Sequence, residues 1–171
     1  MRGIMICEKC QIAKTRKNIV ESEFVGPYIG MIVAEAPTKR EDRTGKFTDP
    51  YWQVIKEIMI SFNQKIENYF ITAVIKCYPG SNRYPEPHEI QNCSTHFSLE
   101  VQKIQPKAIL FLSEHCAKEY IKEDIIVNHR YETSFCKNVV VTYNPKAVIV
   151  DSDEYMKLKS VIRKFISICI A

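Results

Sequence analysis

Four short apolar runs, each followed by a loop and a helix-like stretch, constrain this chain more than any other feature. They occupy residues 28–33 (YIGMIV), 70–75 (FITAVI), 107–112 (KAILFL) and 139–142 (VVVT). Their length and β-branched content suit strands buried on both faces. Between and after them, apolar residues recur at helical spacing. One such stripe is Trp52, Ile55, Ile58, Met59 and Phe62, and another is Ile90, Cys93, Phe97, Val101 and Ile104. A third is Met156, Leu158, Val161, Ile162, Phe165 and Ile168. Thr48 or Asp49 can cap the first helix with Pro50 in its opening turn, and Asp151 or Ser152 the last. This alternation predicts an α/β fold with a mostly parallel sheet between helical layers. No repeat, low-complexity tract or linker divides the 171 residues, so a single domain over 1–171 is expected. Such sheets bind ligands beyond the carboxyl ends of their strands. The loops after Val33, Ile75 and Thr142 are therefore the places to look for function.

Composition narrows the setting without choosing a function. No apolar run approaches the ~20 residues of a membrane span, and the opening MRGIMICEKC reaches charge and cysteine before a signal-peptide core can form. A cytosolic protein is expected, in which cysteines serve metals or chemistry more often than disulfides. A net charge of +4 permits a polyanionic partner but argues for one only weakly.

Seven cysteines need an explanation. Cys7 and Cys10 form a C-x2-C pair, and Cys77 and Cys93 bracket a Pro- and Gly-rich basic loop. A C-x2-C taken alone is a metal site, a redox dithiol or chance. Nothing strand-like precedes Cys7, so the metal reading leads. Four thiolates suit zinc or an iron–sulfur cubane equally, and the spacing alone leaves both open. Cys116 on an apolar helix face reads as a small core residue, and Cys136 and Cys169 as packing residues. His88, His96 and His115 read as surface or structural residues, and Lys14, Arg16 and Lys17 as a solvated face.

Taken in order, five segments resemble the uracil-DNA glycosylase superfamily, and within it the type-4 branch that carries a 4Fe–4S cluster. They are CEKCQIAKTRKNIV, MIVAEAPTKREDRTGKF, FITAVIKCYPGSNRYPEPHEIQNC, KAILFLSEHCAKEYI and VVVTYNPKAVI. The resemblance implies a four-stranded parallel sheet flanked by helices. It also implies a structural 4Fe–4S cluster held by Cys7, Cys10, Cys77 and Cys93, in preference to zinc. The implied activity is extrusion of a base from DNA and cleavage of its N-glycosidic bond. Glu35 matches the acid of the first motif, and the loop with Ala34 and Ala36 would present backbone amides and an attacking water. Phe47 matches a stacking phenylalanine. Lys76, Asn82, Arg83, Arg43 and Lys46 would meet DNA, and the loop of Tyr143, Pro145 and Lys146 would press into it.

Four positions depart from that pattern. Ala73 stands where an asparagine reads the pyrimidine edge, removing its amide hydrogen bonds. Asn144 stands where a histidine stabilises charge on the base; it can donate a hydrogen bond but cannot become cationic. Ala34 and Thr38 replace the glycines flanking Glu35-Ala36-Pro37. The implied function is a DNA glycosylase acting on uracil or on another damaged or modified pyrimidine. The alternative is a catalytically inactive iron–sulfur protein that binds DNA or a replication or repair partner. A zinc-stabilised domain without a nucleic-acid role is a third, weaker reading. A monomer is expected, in the cytoplasm beside the nucleoid, or in the host cytoplasm if the chain is viral.

Overall fold

A computed structural model describes residues 7–21, 26–81, 83–146 and 152–171. The four apolar runs become β1 (Gly30–Ala34), β2 (Tyr69–Ala73), β3 (Ile109–Phe111) and β5 (Val139–Val141). A two-residue β4 (Arg130–Tyr131) adds a fifth strand to the four expected. It carries no apolar run, which is why strand periodicity misses it. The sheet order is β2-β1-β3-β5-β4, parallel throughout except for antiparallel β4 at the edge.

Side-chain alternation sorts the core into two halves. Ile32, Ala34, Leu110 and Val140 face α2 (Pro50–Ser61) and α5 (Ser152–Ile170). Met31, Val33, Phe111 and Val141 face the opposite way, toward α3 (Pro87–Ile104). The result is the expected three-layer α/β arrangement. Asp49 caps α2 through the Tyr51 amide, with Pro50 in the first turn as anticipated. The cap expected for α5 lies outside the described residues, since Asp151 and the side chain of Ser152 are not among them.

A further helix, α1 (Lys39–Thr44), fills the charged stretch between β1 and α2. Thr38 and Glu41 form a reciprocal capping box, and Gly45 closes the helix at φ 69°, where a side chain would be strained. Glu41 is fully buried, yet among the described residues no cation pairs with it. Its carboxylate instead accepts from the amides of Thr38 (2.8 Å), Thr48 (3.1 Å) and Asp49 (3.3 Å) and from Trp52 Nε1 (2.8 Å). Asp42, also buried, accepts from the amides of Lys17 (2.9 Å) and Asn18 (3.2 Å) and so ties down the amino-terminal segment. The Glu-Asp pair therefore sets the path of the chain around the carboxyl end of β1.

The topology also locates a crevice. After β1 the chain crosses to β2 on one side, and after β3 it crosses to β5 on the other. Adjacent strands whose connections diverge leave an opening beyond their carboxyl ends. Residues 35, 113 and 144 emerge there, one or more positions after β1, β3 and β5.

Candidate active site

Glu35 leaves β1 half-buried and turned toward β3 and β5. Ser113, the buried N-cap of α4 (Glu114–Ala117), donates its hydroxyl to Glu35 Oε1. The Asn144 amide donates to Glu35 Oε2 at 3.3 Å, and Asn144 Oδ1 accepts from the Lys146 amide at 3.0 Å. That second bond fixes which end of the Asn144 amide faces the carboxylate. Burial holds the Glu35 carboxyl above its ordinary range; the Ser113 hydroxyl, His115 and Lys146 pull it partly back. Glu35 is thus an oriented carboxylate with reduced solvation, the state a general base or an electrostatic stabiliser requires.

A cleft of about 500 Å³ opens over this group. Glu35, Ala36, Pro37 and Thr38 form one wall; Lys39, Arg40 and Lys146 bring positive charge; Arg83, Tyr84 and Asn144 line it as well. A smaller recess beside it touches Ala34, Ala36, Tyr51, Leu112 and Pro145. The Lys146 ammonium sits 5.9 Å from the centre of the Tyr51 ring. Lys39, Arg40, Arg43, Lys46 and Lys146 are all exposed, giving the cleft and its rim a cationic border.

Most residues singled out from the sequence gather here, and several do not. Ala34 and Ala36 are buried beside Glu35. Ala73, paired with Ala34 across β1 and β2, is fully buried in the core half that contains α2 and α5. Phe47 packs edge-on against Trp52, with ring centres 5.6 Å apart, and is not among the residues lining the cleft. Lys76 requires a correction. It is 1% exposed, and its ammonium donates to Glu100 (2.7 Å), Thr72 and the Ala73 carbonyl (2.6 Å). β2 ends at Ala73, two residues before the apolar run does, and the chain then turns the lysine inward. Lys76 is therefore part of a buried ion pair and does not face DNA.

Pro145 is corrected likewise: it is buried, and its exposed neighbours are Tyr143 and Lys146. The Lys157 ammonium lies 5.7 Å from the Tyr143 ring centre. Asn82 lies outside the described residues. Arg83 lines the cleft but is also held by a two-pronged pair with the buried Glu89, at 2.8 and 2.6 Å. That guanidinium keeps the Glu89 carboxyl below its ordinary range. Sequence reasoning missed Ser113, Tyr84 and His115 as members of the site. A serine stands directly after the third apolar run, but nothing in its spacing marks it as part of the site.

A second cavity, about 20 Å³, lies on the α3 side of the sheet. Cys7, Cys10, Cys77 and Cys93 all line it, with Arg16, Lys76 and His96. Arg16 approaches Cys77 Sγ at 3.9 Å. Burial pushes the Cys77 thiol up to about 12 and raises that of Cys93 too. Among the described residues, no three His, Cys, Asp or Glu side chains converge tightly enough for a single metal ion. His96 Nε2 is buried here with no hydrogen-bond partner among the described residues. The two cations that act on His96 are already committed, Lys9 to Thr95 (2.7 Å) and Lys76 to Glu100. Four thiols line one void, with the Arg16 guanidinium beside Cys77, a sulfur-rich donor set of the kind that holds a soft metal or an iron–sulfur group.

Comparison with known proteins agrees with this architecture. A family model described as the uracil DNA glycosylase superfamily matches residues 30–166. The type-4 uracil-DNA glycosylase of Sulfurisphaera tokodaii is 34% identical over 156 residues, covering 86% of this chain and 68% of that protein. The same-named protein of Archaeoglobus fulgidus is 32% identical over 119 residues, 69% of this chain and 60% of the relative. That of Saccharolobus solfataricus is 34% identical over 122 residues, 68% and 55% respectively. The matched stretch thus spans little more than half the length of the last. With the family model covering most of the sheet and its helices, this chain belongs to the uracil DNA glycosylase superfamily.

Proposed function

We propose that this chain is a DNA glycosylase that hydrolyses the N-glycosidic bond of an extruded uracil or of another damaged or modified pyrimidine. The observation that carries this reading is the oriented, partly desolvated Glu35 in a cation-bordered cleft at the topological switch between β1 and β3. Family membership and the type-4 uracil-DNA glycosylase relatives support it. In the proposed reaction, water adds to the sugar C1′ as the bond to the base breaks. The bonding electron pair leaves with the base. Glu35 takes the water proton or offsets positive charge on the sugar, for which its uncommitted lone pairs are available. Asn144 has a second amide N–H beyond the one given to Glu35, and that donor can stabilise an anionic base oxygen. Lys39, Arg40 and Lys146 are placed to meet phosphates.

Cys7, Cys10, Cys77 and Cys93 hold a 4Fe–4S cluster in this reading, which rests on the four thiols lining one cavity and on the type-4 relatives. When bound, the cluster cross-links the amino-terminal segment, the loop after β2 and α3. The protein acts as one domain and as a monomer, in the compartment that holds its DNA. Among the described residues no helix is long and apolar enough to cross a membrane.

One observation favours a second reading, that of a DNA-binding protein without base release. Ala73 is buried and offers no polar edge to a pyrimidine. A release assay separates the two readings, using oligonucleotides that carry uracil, deaminated purines or 5-substituted pyrimidines. Release of a pyrimidine supports the glycosylase. DNA binding with no base released across the panel overturns it in favour of the binding protein.

A further inference from the structure

Among the described residues, Tyr84 is the one large aromatic on the cleft wall that is mostly exposed, at 56%. A single exposed aromatic is ordinary, but this one is held in place from three directions. Arg83 Nη1 donates to the Tyr84 carbonyl at 3.0 Å, and Arg83 is itself locked by both oxygens of buried Glu89. His115 Nε2 lies 3.4 Å from the next carbonyl, that of Pro85. The imidazole of His115 also stacks on the Tyr84 ring, with centres 4.6 Å apart and planes tilted by 32°. One face of Tyr84 is therefore backed by a second ring, and the loop behind it is fixed. A tyrosine so restrained has already lost the rotamer freedom that a ligand would otherwise have to remove.

We propose that Tyr84, supported by His115, is a stacking platform for an unpaired nucleobase next to the extruded one. The inference rests on the reading of the cleft as a DNA site and deepens it by naming the form of DNA preferred. A flat π-face beside cationic side chains is the combination that binds single strands with little sequence preference. A base still paired in duplex has its faces covered by its neighbours and cannot use such a platform. The cleft therefore selects a target flanked by unstacked DNA, such as a single strand, a bubble or a frayed end. Phe47 packs on Trp52 away from the cleft lining, and of the two tyrosines that line the cleft Tyr78 is half-buried while Tyr84 is exposed.

The test is binding of oligonucleotides that contain no releasable base, so that it does not depend on turnover. Full-length protein purified without oxygen is compared with Tyr84→Ala and Tyr84→Phe. Melting temperature and visible absorbance establish that each variant is folded. Fluorescence anisotropy reads affinity, and 2-aminopurine placed at successive positions reads stacking by its quenching. The expected result is a loss of ~10-fold or more in single-strand affinity for Tyr84→Ala and little change for Tyr84→Phe. Quenching of 2-aminopurine by wild type, lost in Tyr84→Ala, is expected with it, while duplex affinity stays within about threefold. Equal single-strand affinity and equal quenching in wild type and Tyr84→Ala overturn the platform but leave the DNA site standing. Failure of the wild type to bind any of the oligonucleotides overturns both.

Discussion

Glu35, Ser113 and Asn144 come from positions far apart in the chain and meet at a single carboxylate. The Ser113 hydroxyl and the Asn144 amide each take one Glu35 oxygen, so the carboxylate cannot rotate to pair with a surface cation. Burial raises its pKa from the ordinary 4.5, and the sign of the consequence follows. The native state holds this proton more tightly than the unfolded chain does. The Glu35 contribution to stability is therefore lost progressively as pH rises from about 4.5 through the raised value. Glu35→Gln should stabilise the protein at neutral pH by up to about 1 kcal/mol while abolishing base release, a common trade at catalytic positions. Thermal melts at pH 4 and pH 7 check this, because the gain should appear only at the higher pH. In wild type, the acidic limb of kcat/KM should fall at a pH above 4.5. A limb at or below 4.5 would show that Glu35 is not the titrating base.

At the scale of elements, the loop between β1 and α2 is organised by one buried anion. Glu41 accepts from four N–H groups, and three of those are backbone amides whose positions define the cleft wall. Glu41→Ala strands these donors without water. It should cost about 3 kcal/mol or more, measured by denaturant unfolding, and should loosen the wall beside Glu35. A loss under about 1 kcal/mol would mean that the loop repacks freely. The elements also show what a sequence discloses. Thr38 with Glu41 three residues on, followed by Gly45, is a legible helix signature. The charged residues between them carry no apolar period, so helical spacing of apolar residues does not reveal it. The long helices and parallel strands were legible because their apolar periods repeat several times. Two-residue β4 repeats nothing. Lys76 shows a subtler limit. Its charge can be read from the sequence but its direction cannot, because that depended on β2 ending at Ala73 and on Glu100 waiting one helix away.

For the whole molecule, two regions meet through the sheet and the loop that follows β2. The thiol cavity lies on the α3 side, and the cleft opens at the carboxyl edge. Cys77 and Arg83 belong to the same loop, so the thiol cavity and the cleft wall share a support. Cys93→Ser should remove the broad visible absorbance of a cubane, lower the melting temperature and weaken DNA binding together. Retained colour, or a colourless wild type that contains zinc, would contradict the four-cysteine cluster. Cys7 and Cys10 stand out in the sequence by their C-x2-C spacing, and Cys77, Cys93 and Glu35 through the resemblance to the superfamily's motifs. Ser113 and the Tyr84–His115 stack were not, because each acts through a partner tens of residues away.

The most direct measurement is single-turnover release of uracil from a single-stranded oligonucleotide, by wild type and by Glu35→Gln prepared alike without oxygen. The account predicts release by wild type, even if slow with Asn144 in the site, and none above background by Glu35→Gln. Equal release by both proteins would contradict the central place given to Glu35. No release by either, on strands that both bind, would contradict uracil excision itself.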